Sequence, residues 1–448
     1  MRMLKISYDD ALIPESRILG TAEKIIPEIE KARDLISTGY NDSFSFINLP
    51  DDTKQLNVVK ELIREKLILD PRLLVVVGIG GSNLGAIAVQ EAILGKLYNL
   101  SDPRIRVLYA DTTDPYLIRN IAKIMKATFK NEGNVLLNVI SKSGTTTETI
   151  ANFRILLGIL RKYKRKYKEY VIATSDKGSK LWNLAVREGF AALEIPAKIV
   201  GRYSVFSSVG LFPLGLLGIN IENLLEGARK MRDLCLTMDL DKNPAAVTAS
   251  IQYNHYIDGK NVFDLFFFSS DLESLGKWCR QLIAESLGKE FDRNGEKVNI
   301  GMTPTVSIGS TDLHSIAQLY LGGPYDKFIT FISVENAGPR LRIPQDDEYS
   351  DLIPEIDGRS LDEILNAILE GTKEAFRRSS RPFIEISLPD KTESSIGQFM
   401  HLKMIETVYL GRLLNVNPFD QPDVEKYKKE TRRILSKKSR KTHMNRIG

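Results

Sequence analysis

Seven consecutive positions in "VISKSGTTTETIANF" (139–153) hold five hydroxyl side chains: Ser141, Ser143, Thr145, Thr146 and Thr147. The apolar run before them reads as a strand and the pattern after them as a helix. The loop therefore falls at the carboxyl edge of a parallel sheet, where open α/β folds bind ligands. One threonine can be assigned to helix capping, because Thr145 with Glu148 three residues later fits a capping box. The remaining hydroxyls, the amides at the positive end of the helix, Gly144 and the charge of Lys142 suit an anion with several acceptor oxygens, most simply a phosphate. From these residues alone, phosphate binding and capping with solvation both stay open.

A second strand–loop–helix junction, "VVVGIGGSNLGAIAVQEAIL", sets Gly78, Gly80, Gly81 and Ser82 ahead of a helix. It lacks the Lys-Ser/Thr ending of a nucleotide P-loop, and the dinucleotide pattern G-x-G-x-x-G fails at Asn83. Asp111, after "VLYA", keeps a nucleotide-dependent oxidoreductase among the readings. Two such loops without a nucleotide fingerprint favour a phosphorylated small molecule.

Candidates for proton transfer lie further along. In "ESLGKWCRQLIAESLGKEF", helical steps of four and three link Trp278, Leu282 and Glu285, which puts a carboxylate on an apolar stripe with Gly288 as the helix stop. A solvated glutamate is the default reading, and burial on that stripe is the special case. Burial would raise the pKa toward that of a general base, and nearby cations would oppose the shift. His314, in "SIGSTDLHSIAQLY", falls where a strand passes into a helix capped by Ser310 or Thr311. It is either structural or, kept neutral by the helix dipole, ready to exchange a proton. By spacing alone, Arg202 in "GRYSVFSSVG" is a surface arginine. The four histidines, His255, His314, His401 and His443, are scattered, and no metal-ligand spacing occurs.

The elements that must position these groups are those of an α/β protein. From Leu73, the runs "LLVVVG", "RVLYA", "VLLNVI", "YVIAT" and "AALEI" alternate with amphipathic segments, the signature of βαβ units and a parallel sheet covered on both faces. The stretch "SVGLFPLGLLGINIENLLEGARKMRDL" reads as helical apart from its Pro and Gly interruptions. The alternation then resumes with "NVFDLFFFS", "TVSI", "KFITFISV" and "PFIEISL", a second domain of similar plan. The expected division is a helical arm over 1–65, domains over 66–216 and 217–421, and a basic helical tail over 422–448. Ile396, Met400, Met404 and Val408 form one helical stripe, a packing face rather than a cofactor site.

Composition narrows the function class. With 43 % apolar and 27 % charged residues, the chain of 448 residues is an ordinary globular protein with room for two or three domains. Two unpaired cysteines, Cys235 and Cys279, point to a reducing compartment, so a cytoplasmic location is expected. The start of the chain lacks a secretory pattern, and no run is long enough to span a bilayer, so no membrane association is expected. The net charge of +5 is mainly a tail property: residues 425–448 hold ten Lys and Arg against two Glu. Neither the tail nor "RKYKRKYK" (161–168), despite its interleaved tyrosines, comes with a recognition fold, so no nucleic acid is expected as a partner.

In order and approximate spacing, "GIGGSNLGA", "SKSGTTTET", "GRYSVFSSVG", "AESLGKE", "GSTDLHSIAQLY" and "NPFDQPDVEKYK" resemble the motifs of the glucose-6-phosphate isomerase family. The resemblance implies a pair of sugar-isomerase domains, each a parallel sheet sandwiched by helices, and the interconversion of glucose 6-phosphate with fructose 6-phosphate. By motif, Ser82, Ser141, Ser143 and Thr146 match phosphate contacts, with Gly81, Lys142 and Thr145 beside them. Glu285 matches the base that moves a proton between C2 and C1 through a cis-enediolate, and Arg202 the arginine that stabilises the developing charge. His314 matches the group that helps open the ring and Lys428 the lysine at the ring oxygen, while Gln281 and Gln421 match substrate-positioning glutamines. The resemblance further implies a homodimer in which His314 completes the neighbouring subunit's site. It implies no metal or redox cofactor, because the reaction only relocates protons. Two positions depart from the family pattern: Val200 precedes Gly201-Arg202 where a glycine is usual, and Asp423 stands where a glycine is usual. Because sugar-isomerase domains also occur as regulators, a non-catalytic sugar-phosphate-binding protein is the alternative.

Overall fold

Leu73, Leu74, Val75, Val76 and Val77 have no exposed surface, as a strand covered on both faces requires. They belong to a computed structural model that describes residues 2–444 apart from 337, 339, 340, 346 and 347, with side chains described as far as 436 in the last helix. In chain order its strands are β1 (Lys5–Ser7), β2 (Pro71–Val77), β3 (Arg106–Ala110), β4 (Asn134–Ile140), β5 (Val171–Ser175), β6 (Ala191–Glu194), β7 (Val262–Phe267), β8 (Lys289–Phe291), β9 (Lys297–Ile300), β10 (Thr303–Ile308), β11 (Lys327–Val334) and β12 (Phe383–Leu388).

One sheet has the order β3-β2-β4-β5-β6 with every pair parallel. The order reverses between β2 and β4, so the crevice beside the carboxyl end of β2 and β4 is the switch point at which such sheets take ligands. The second sheet has the order β1-β12-β11-β7-β10. Its last four strands are parallel, and β1, from the amino-terminal arm, adds antiparallel to β12. The arm over 1–65 is thus not wholly helical: three of its residues extend the distant sheet. β8 and β9 form a separate antiparallel hairpin, a further element absent from the expected plan.

Helix Glu393–Leu413 runs through the middle of the molecule, with every side chain from Ser394 to Gly411 buried. The stripe of Ile396, Met400, Met404 and Val408 is part of a helix packed on all faces. Its Lys403 and Glu406 pair with each other, so neither charge is buried alone. The interrupted apolar segment forms helices Ser208–Leu216, with Pro213 inside it, and Ile221–Cys235. The basic tail is helical over Val424–Met444, and its last four residues lie outside those described, as do the side chains of 437–444, including that of His443. In the "RKYKRKYK" stretch, Tyr163 stacks on Phe129 with ring centroids 4.9 Å apart, and Tyr167 lies under Arg161, so both rings are engaged within the chain.

Among the described residues, no helix is long and apolar enough to cross a membrane.

Candidate functional site

The hydroxyl-rich loop leaves β4 and enters helix Thr147–Tyr163. Thr146 is the residue preceding that helix and makes no side-chain cap, and no capping box forms between Thr145 and Glu148. The hydroxyls bond one another instead: Ser141 Oγ lies 3.0 Å from Thr146 Oγ1, and Ser143 Oγ lies 3.0 Å from Thr145 Oγ1. The Thr145 amide donates to Ser143 Oγ at 3.3 Å. Gly144 has φ +66°, and a Cβ there would lie 2.5 Å from the Leu181 backbone nitrogen, so the loop is pressed against the start of helix Lys180–Glu188. Behind it, the buried Ser175 hydroxyl donates to the Ser141 carbonyl at 2.7 Å.

The glycine loop after β2 reaches the same place. A Cβ on Gly81 would lie 2.2 Å from the Gly201 carbonyl carbon and 2.6 Å from the Arg202 nitrogen, so only hydrogen at that position lets the two loops touch. This contact brings Arg202 beside the switch point. The residue expected on the surface is 2 % exposed. All its N–H directions are used: Nε donates to Ser286 Oγ at 2.7 Å, Nη1 to Gln421 Oε1 at 2.7 Å and to Glu285 Oε2 at 3.3 Å, and Nη2 to the carbonyls of Pro418 at 2.7 Å and Asp420 at 3.1 Å. Five such bonds offset the cost of removing the charge from water.

Glu285 lies on helix Glu273–Leu287, one turn after Gln281, whose Nε2 donates to Glu285 Oε1 at 3.2 Å. Trp278 and Leu282 are buried, but the Glu285 side chain is 34 % exposed: it stands at the edge of the apolar stripe and opens to a cavity, neither fully solvated nor buried with the stripe. The helix ends at Leu287, and Gly288 is extended rather than left-handed.

One cavity of about 830 Å³ joins these pieces. Gly81, Ser82, Lys142, Ser143 and Thr146 line it together with Arg202, Gln281, Glu285, Gln421 and Lys428. Ser141 is buried behind Thr146. Thr145 faces an adjoining space of about 260 Å³ between the hydroxyl loop and the tail helix. Lys428 Nζ donates to Glu425 Oε1 at 2.7 Å. Asp423, at its unusual position, pairs with Lys426 at 2.5 Å, and Lys426 reaches Glu290 at 2.8 Å. The tail helix is thereby tied to β8. Val200 lines the cavity beside Gly201.

The cavity lining beside the hydroxyl loop carries mixed charge. Burial pushes Lys142 below the usual lysine value, partly offset by Asp176. Burial pushes Asp176 up to about 6, partly offset by Lys142. Asp176 and Lys198 also line the cavity and went unnoticed in the sequence, where each is one more charge in a loop.

His314 does not join this cavity. It is the exposed last residue of a short turn, Thr311–His314, and neither Ser310 nor Thr311 caps a helix there; helix Ala317–Gly322 begins later. Two other histidines are structural. His255 meets the Ala11 carbonyl at 2.8 Å, and His401 is fully buried; burial pushes them down to about 4 and about 3, so both are neutral in the fold.

Lys289 and Ser286 were missed as supports of the site. Both sit in the quoted "AESLGKE", Ser286 in the last turn of the helix and Lys289 at the start of β8, where the helix stop at Gly288 hid its return to Glu285. Among the described residues, no three His, Cys, Asp or Glu side chains stand together as a metal site would need.

Comparison with known proteins adds identity to this geometry. The chain is 33 % identical to a glucose-6-phosphate isomerase of Carboxydothermus hydrogenoformans, over 97 % of this chain and 95 % of that one. It is 34 % identical to a glucose-6-phosphate isomerase of Leptospira biflexa, over 98 % and 96 %. Among solved structures, a hypothetical protein from Thermus thermophilus superposes with a TM-score of 0.84 at 30 % identity, over 97 % of this chain and 100 % of that one. A glucose-6-phosphate isomerase from Chlamydia trachomatis superposes with a TM-score of 0.81 at 18 % identity, over 97 % and 89 %, which speaks to the fold. The model of the family described as phosphoglucose isomerase matches residues 71–447, a span that takes in the glycine loop, the hydroxyl loop, Arg202, Glu285 and Lys428, and the chain belongs to that family.

Proposed function

We propose that this chain interconverts glucose 6-phosphate and fructose 6-phosphate by moving a proton between C2 and C1 through a cis-enediolate. The observation that carries the reading is the shared cavity, which is lined both by the hydroxyl loop and by a carboxylate beside a buried guanidinium. The phosphoryl group is held by Ser82, Ser143 and Thr146, with Ser141 and Thr145 orienting those hydroxyls, Lys142 supplying charge and Gly81 allowing close approach. That anchorage sets the far end of the open-chain sugar beside Glu285.

Glu285 takes the C2 proton of the aldose, and the electron pair left behind forms the C1–C2 double bond as O1 becomes the enediolate oxygen. Returning the proton to C1 while the O2 hydroxyl passes its own proton to O1 gives the ketose. Arg202 cannot give up its proton, so its fixed positive charge stabilises the enediolate electrostatically without competing with the base. Gln281 and Gln421 orient the hydroxyls, and Lys428 serves the ring oxygen in ring opening. Residues 66–216 and 217–421 act as the two sugar-isomerase domains, between the arm of 1–65 and the tail of 422–448.

His314 needs a second copy in this scheme. Its exposed turn lies off the cavity of its own chain, and a homodimer in which His314 of the partner subunit completes the site accommodates both facts. The non-catalytic regulator has no observation in its favour.

The test is a coupled assay for fructose 6-phosphate from glucose 6-phosphate with the full chain, with no nicotinamide present during isomerisation. Mixing inactive Glu285→Gln and His314→Ala chains should regenerate turnover if the sites are shared. No product from the parent sinks the proposed activity, and no rescue on mixing sinks the shared site.

A further inference from the structure

Lys289 opens β8, two residues past the end of the helix that carries Glu285, and its side chain is 4 % exposed. Its Nζ donates to the Glu285 carbonyl at 2.8 Å and to the Asp420 carbonyl at 2.7 Å, with an Asp420 carboxylate oxygen at 3.1 Å. The same Asp420 carbonyl accepts from Arg202 Nη2 at 3.1 Å, and Arg202 Nη1 holds the next residue, Gln421, at 2.7 Å. Two buried cations thus converge on one carbonyl in the loop that carries Gln421. Capping the end of helix Glu273–Leu287 accounts for the bond to Glu285, whose carbonyl is among the last four of that helix. It leaves both contacts with Asp420 unexplained.

We propose that Lys289 is a positioning residue for proton transfer, pinning the Asp420–Gln421 loop against Arg202 and setting a second fixed positive charge behind Glu285. The inference rests on the reading of Glu285 as the base. Lys289 does not line the cavity, so it acts through Glu285, Gln421 and Arg202 rather than on the sugar.

The charges around the carboxylate limit what else could do this. Glu285 faces Arg202; its own helix adds Lys277 and Arg280 along an adjoining cavity; the main cavity is also lined by Lys142, Glu148, Asp176, Lys198, Glu425 and Lys428. Lys289 faces Asp420, Arg202 and Glu285, and burial pushes it below the usual lysine value while Asp420 opposes the shift. Arg202 and Lys289 are the two cations of this set fixed in the interior by several hydrogen bonds, where solvent screens them least.

The test compares Lys289→Met and Lys289→Gln, which are neutral, with Lys289→Arg, which keeps the charge. Removing a cation disfavours the ionised carboxylate, so the acid limb of kcat/KM in both neutral variants should move up by about one pH unit. Their kcat should fall about 10-fold with KM changed much less, since the loop that orients the reacting end is loosened. Lys289→Arg should return the limb to the parent's position. An unmoved limb in the neutral variants, or one displaced as far in Lys289→Arg, overturns the assignment. Failure of the neutral variants to fold also overturns it, because Lys289 would then be a helix-end support. A parent chain without isomerase activity is a different failure, which brings down the proposed function and this inference with it.

Discussion

The Glu285 carboxylate lies 3.3 Å from Arg202 Nη1, and the two side chains are 34 % and 1 % exposed. An open carboxylate beside a closed guanidinium is an asymmetric pair. The carboxylate is open to the cavity, while the guanidinium is fixed by its hydrogen bonds, so under the proposed mechanism its charge is in place before negative charge develops.

Arg202→Lys tests that asymmetry. Lysine supplies three donors where arginine uses five, so the carbonyls of Pro418 and Asp420 cannot all be served along with Gln421 and Ser286. A loss of about 100-fold in kcat, with the protein still folded, is expected. Kinetics alongside a melting curve checks it, and unchanged kcat would remove Arg202 from the mechanism.

Ser143→Ala and Thr146→Ala should each weaken binding of inorganic phosphate by about 10-fold, roughly one to two kcal/mol of hydrogen bonding to a charged group. Competitive inhibition by phosphate measures this directly. Parent-like inhibition constants in both variants would move the anion site away from the hydroxyl loop.

Gly81→Ala forces a methyl to 2.2 Å from the Gly201 carbonyl carbon, a backbone clash that no rotamer relieves. The loops must part, at a cost of about 1–3 kcal/mol. Arg202 then shifts with Gly201. Both a lower unfolding midpoint and a loss of turnover are expected, whereas Gly201→Ala, whose Cβ would meet its first neighbour at 3.6 Å, should be milder.

His255 makes stability depend on pH. Burial lowers it from 6.5 to about 4 in the fold, so the unfolded chain binds the extra proton between those values. Its contribution is therefore complete above pH 6.5 and lost as pH falls toward 4, a loss on the order of 3 kcal/mol. Urea midpoints at several pH values should fall along this range in the parent and fall less in His255→Gln. Equal slopes in the two proteins would contradict it.

The strands of both sheets were legible because strands buried on both faces leave nearly unbroken apolar runs, as in Leu73–Val77. β1 was not: "KIS" is too short to display a period, and what makes it a strand is β12, whose partner residues lie near position 386. The hydroxyl loop was found by its composition. Its local signal for a capping box was outweighed by bonds among the hydroxyls themselves. Arg202 read as a surface residue because its partners are remote in sequence; Ser286 is 84 positions away and Gln421 is 219. Lys289 was quoted within a motif yet passed over for the same reason, since Asp420 is 131 positions distant.

Deuterium exchange in Glu285→Gln tests the central claim most directly. Fructose 6-phosphate is incubated in D2O with the parent or the variant, and label at the exchangeable carbon positions is followed by NMR. The parent should exchange protons and the variant should lose about 1,000-fold or more in rate, with inhibition constants for inorganic phosphate held near the parent's in separate binding measurements. Exchange at the parent's rate in Glu285→Gln would contradict the account.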